Sequence, residues 1–60
     1  MEDWTIRLRH LEDAHRHQHR IVEALEAEKA PSNAIYDAKK RKLELKDQIE
    51  QIKRENPNAN

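Results

Sequence analysis

Lys29-Ala30-Pro31-Ser32-Asn33 decides how this chain is arranged. Proline fixes its own φ, has no amide to donate, and pushes the residue before it out of helical geometry. A helix arriving from the N-terminal side is therefore expected to stop near Glu28, and a second to start near Asn33. The neighbours agree with that break. Lys29 suits the negative end of the first helix dipole, Ser32 or Asn33 can accept from the free amides of the second, and Asp37 lies near its positive end. The competing arrangement is one long helix, kinked at Pro31, in an extended coiled coil.

Outward from this break the apolar residues keep a helical period. On the N-terminal side Trp4, Leu8, Leu11, His15, Gln18, Val22 and Leu25 fall at steps of four and three, so a helix places them in one stripe. Ala14 and Ile21 widen that stripe on one side, as in a helix with more than one neighbour. Asp3 is a candidate N-cap. On the C-terminal side Ile35, Ala38, Lys42, Leu45, Ile49 and Ile52 repeat the pattern. The reading is all-α: helices over about residues 3–28 and 33–55, a turn at 29–32, and a flexible tail at 56–60, where Pro57 interrupts a segment with no apolar period.

Two helices joined by so short a turn should fold back as an antiparallel hairpin. With the reversal near Ser32, facing residues have numbers that sum to about 60–62. Leu25 then meets Ile35 and Ala38, Leu11 meets Ile49, Leu8 meets Ile52, and Trp4 covers the open end near Lys53 and Asn56. His15 and Gln18 face Lys42, Leu45 and Lys46, so the seam has apolar ends and a polar waist.

Composition supports this class and closes others. The chain has 60 residues, 40% of them charged, with 12 Lys+Arg against 12 Asp+Glu and only Trp4 and Tyr36 as aromatics. So polar a chain is either helical or disordered, and the period selects helix. Zero Cys excludes disulfides and cysteine-ligated zinc, and zero Gly excludes glycine-rich phosphate loops. No apolar run is long enough to span a membrane. Met1-Glu2-Asp3-Trp4 is acidic and unlike a secretory signal, so a cytoplasmic location is expected. A chain this short buries little surface alone, and a second hairpin completing a four-helix bundle or coiled-coil-like oligomer is the expected remedy.

Lys39-Lys40-Arg41-Lys42-Leu43-Glu44-Leu45-Lys46-Asp47-Gln48-Ile49 resembles the KKxKLxLKDEI block of the YdcH-like family, small bacterial helical hairpins of unknown function. Upstream, His15 and Val22 occupy the His and Ile positions of that family's H-x-x-L-D-x-x-I block. The likeness runs from about His10 to Ile52. Gln18-His19 stands where the family has Leu-Asp, and Ala38 where it usually has Leu; these departures fall in the waist and near the turn. The resemblance implies a two-helix hairpin capable of self-association and implies no enzyme activity.

Several groups invite a chemical reading. Of the four histidines, His10, His15, His17 and His19, the pair His15 and His19 has the i,i+4 spacing that lets two imidazoles share a metal, with Glu12 one turn earlier as an oxygen donor; a third and fourth protein ligand for a closed site are not evident. His15 in the waist also invites a pH response. Lys39, Lys42, Lys46 and Lys53 share one side of the second helix and could track a phosphate backbone, although lysine stems flanking a seam look the same. Tyr36, Leu43 and Ile21 exceed what one partner helix can cover, and mark a partner surface. Glu12–Arg16, Asp37–Arg41 and Glu50–Arg54 are spaced as i,i+4 ion pairs.

No nucleophile, base and pocket come together, so catalysis, a cofactor and a small-molecule substrate are not expected. The expected function is a non-enzymatic protein–protein interaction module. It would self-associate or dock on a larger protein, with Ile21, Tyr36 and Leu43 as anchors and no membrane contact. Nucleic-acid binding through the lysine stripe is the alternative, and a metal- or pH-responsive switch at His15 and His19 is the third reading.

Overall fold

A computed structural model describes residues 3–56. Helix α1 runs Trp4–Ala27 and helix α2 runs Ser32–Glu55, each of 24 residues. They pack against each other as a hairpin within extents of 42 × 20 × 15 Å. One 24-residue helix is about 36 Å long, so the long dimension accommodates the two side by side and rules out the single kinked helix. Residues 57–60 of the expected flexible tail lie outside the described residues. Asn56, counted with that tail in the sequence reading, caps α2 instead: its amide and its side-chain Nδ2 both donate to the Ile52 carbonyl, at 3.0 and 2.9 Å.

The two helices start differently. At α1 the Asp3 carboxylate accepts from the Thr5 amide at 3.0 Å and from the Thr5 hydroxyl at 2.8 Å. These bonds, the hydroxyl first, hold the Asp3 carboxyl below its ordinary range. At α2 the expected caps are not used. Pro31 itself is the N-cap, with φ −56° and ψ 146°, and no side chain caps the helix. Its fixed φ and extended ψ bring Ser32 and Asn33 inside the first turn, where neither hydroxyl nor amide can reach back as a cap. Asp37 also lies beyond that first turn.

The reversal is made by backbone. Lys29 adopts φ 56°; its amide donates to the Glu26 carbonyl at 3.2 Å, and the Ala30 amide donates to the Leu25 carbonyl at 2.9 Å. This is the paired closure of a Schellman motif, which normally places glycine in the left-handed position. A lysine there costs about 1 kcal/mol relative to glycine. Lys29 thus sits past the C-cap Glu28 and acts through its amide, not as a dipole-matching charge in the last turn.

The seam follows the stripes. Leu8, Val22, Ala38, Leu45 and Ile52 are its buried members, with Val22 and Leu45 deepest at 4% exposure. Leu11, His15, Gln18, Leu25, Ile35, Lys42 and Ile49 are half-buried beside them. Trp4, Lys53 and Asn56 are half-buried at the open end. In the waist, the Gln18 side-chain amide donates to the Ala38 carbonyl at 3.2 Å, binding one helix to the backbone of the other.

Candidate interaction surface

The periods of α1 and α2, run antiparallel, give the hairpin two flanks. On the first, α1 presents Glu12, His19, Glu23 and Glu26 beside Lys39, Lys42, Lys46 and Leu43 of α2. On the second, α1 presents Arg7, Ala14, Ile21 and Glu28 beside Ala34, Arg41, Gln48 and Glu55 of α2.

The first flank is laced across the seam. Lys42 Nζ lies 2.6 Å from His19 Nδ1, and His19 Nε2 lies 3.3 Å from Glu23 Oε1. An ammonium only donates, so Nδ1 is the acceptor here and the ring proton sits on Nε2, directed at Glu23. Lys39 pairs with Glu26 at 3.5 Å. Beneath these contacts is an open groove of about 370 Å³, bordered by His15, Val22, Leu43 and Lys46. A second hollow, of about 290 Å³, lies on the outer side of α2 between Tyr36, Lys39, Lys40 and Leu43.

The sequence-derived candidates divide on this geometry. Tyr36 and Leu43 come together, 66% and 57% exposed, around the outer hollow. Ile21 does not join them: it is half-buried and faces the opposite flank. The three anchors are therefore two surfaces. Ile6, 55% exposed on α1 and off the apolar stripe, is a further uncovered apolar side chain. Its position off the stripe was the available signal.

The lysine stripe exists as a row, but Lys39 is bound to Glu26, Lys42 to His19, and Lys42 and Lys53 are half-buried. A phosphate backbone would compete with contacts already made. His15, His19 and Glu12 do not form a metal cage, since no group of three or more His, Cys, Asp or Glu side chains able to hold an ion occurs among the described residues. His19 is instead occupied by Lys42 and Glu23. Both partners were readable: Glu23 is its i+4 neighbour, and Lys42 lies opposite it in the hairpin register.

The helix-surface ion pairs also change partners. Arg16 pairs with Asp13 at 2.8 Å instead of Glu12, and Arg41 with Glu44 at 3.7 Å instead of Asp37. Glu50 and Arg54 do not pair among the described residues. The i,i+3 and i,i+4 positions are equally near on a helix, so rotamers choose between them. No helix among the described residues is long and apolar enough to cross a membrane.

Comparison of the chain with family models, curated proteins and solved structures gives no match. The likeness to the YdcH-like hairpins thus rests on the residues quoted for it.

Proposed function

We propose that this hairpin is a non-catalytic protein–protein interaction module, cytoplasmic, that works by presenting helix surface to a second copy or to a larger assembly. The supporting observation is the pairing of Tyr36 and Leu43, both more than half exposed, around an apolar hollow on a hairpin with no fully buried large side chain among the described residues. Aromatic and aliphatic anchors rimmed by charge are the usual anatomy of a docking site, and Lys39 and Lys40 provide that rim. The shallow seam supports the same reading, because further apolar cover from another chain would deepen it.

The test places a photoreactive group at the anchor. With Leu43→p-benzoylphenylalanine, illumination of cells making the chain should yield one discrete adduct. The same group at Arg9, exposed on the outer side of α1, should yield none. Absence of an adduct at position 43, or equal adducts at both positions, would overturn the reading of this face. Nucleic-acid binding is the lesser reading, because Lys39 and Lys42 of the four stripe lysines are engaged across the seam.

A further inference from the structure

The flank opposite Leu43 carries a pattern of its own. Arg7, Ala14, Ile21 and Glu28 recur every seventh residue, which on a helix makes one line along its side. The line runs about 31 Å from end to end. It begins with a cation, ends with an anion, and holds a small and a large apolar residue between them. Turned end for end, the line matches itself: Arg7 comes level with Glu28, and Ala14 with Ile21. His10 then lies level with Leu25, and His17 with Gln18, near the midpoint.

We infer that a second copy of this chain covers this flank, with the two α1 helices antiparallel about a two-fold axis passing between His17 and Gln18. A two-fold interface uses one patch twice, so residue i must suit residue j in both directions. This line meets that condition. The Ile21 side chain of each copy fills the space left by Ala14 of the other. At each end an arginine meets a glutamate. Both are exposed, and neither makes an ion pair within the described residues.

Helix α2 contributes beside them, with Arg41 level with Gln48 and Ala34 with Glu55 of the other copy. Glu44 approaches its own counterpart there, and its contact with Arg41 offsets that repulsion. The half-buried Ala14, Ile21 and Leu25 become interior in this arrangement. Leu43 and Tyr36 remain outside it, so the proposal takes the self-associating form of the function above without using the same face.

Charge reversal and its rescue decide the matter on the purified chain. Sedimentation equilibrium at low salt should show a dimer. Arg7→Glu alone and Glu28→Arg alone should each weaken it about fivefold or more, since each sets like charges together twice. The double variant Arg7→Glu/Glu28→Arg should return to the parent affinity. Both substitutions are at exposed positions, and circular dichroism should show unchanged helicity in all three variants. A monomer at about 100 μM, a concentration at which weak but specific dimers form, overturns the proposal. So does a dimer in which the single variants have no effect, or the double variant behaves no better than the singles. Failure here with a positive Leu43 adduct leaves the docked form of the module standing; failure of both removes the module reading itself.

Discussion

The two flanks of this hairpin use their charges in opposite ways. On the Leu43 side, Glu26 reaches Lys39 and Lys42 reaches His19, so charged side chains help tie one helix to the other. On the Ile21 side, Arg7 and Glu28 have no such ties among the described residues, and between the flanks, in the waist, a neutral bond runs from Gln18 to the Ala38 carbonyl. A net charge of zero conceals this division. The flank whose Lys39, Lys42, Glu23 and Glu26 are already engaged gains less from a charged partner, and offers its apolar anchors. The other flank, where Arg7 and Glu28 make no ion pair within the described residues, can recognise another molecule by charge as well as by shape.

Substitutions in the seam and on each flank should separate these roles. Leu45, beneath both flanks at 4% exposure, gives the largest effect. Leu45→Ala should cost about 2–5 kcal/mol, enough to abolish cooperative urea unfolding in so small a domain, and both surfaces should be lost together. Gln18→Ala removes the neutral bridge and should cost about 1 kcal/mol, read as a lower urea midpoint with helicity retained. Lys42→Met keeps the apolar stem on the seam and removes only the contact to the half-exposed His19. It should cost about a few tenths of a kcal/mol and leave any dimer unchanged. If Lys42→Met proved as damaging as Leu45→Ala, the laced flank would be holding the hairpin together, and the comparison would have to be reversed.

Much of this was legible in the residues because burial on a helix depends on phase alone. The four–three steps from Trp4 to Leu25 and from Ile35 to Ile52 found the seam, including the polar members His15, Gln18 and Lys42. The start of α2 departs from the sequence expectation because Ser32 and Asn33 are good caps by side chain, whereas Pro31 takes the cap position by backbone geometry. Ile21 and Leu43 look alike in sequence because phase gives each residue an angle on its own helix. It does not give the side of the pair on which that angle falls until the helices are laid antiparallel in register. His15 and His19 read as a metal pair from their spacing within α1 alone, whereas the contact of His19 with Lys42 emerges only when the two helices are laid in antiparallel register.

The backbone closure at Lys29 has a consequence for the order of assembly. Glu26 and Lys39 meet across a short loop, while the layer holding Leu8 and Ile52 can form only after nearly the whole chain has been brought back on itself. Loop-closure entropy grows with the length enclosed, so assembly favours starting where Pro31 and the left-handed Lys29 already turn the chain, then zipping toward Trp4 and Asn56. Chains dominated by such local contacts fold in microseconds to milliseconds. The open end, last to close, is then the first to fray, and the residues beside the turn set the pace for all that follows.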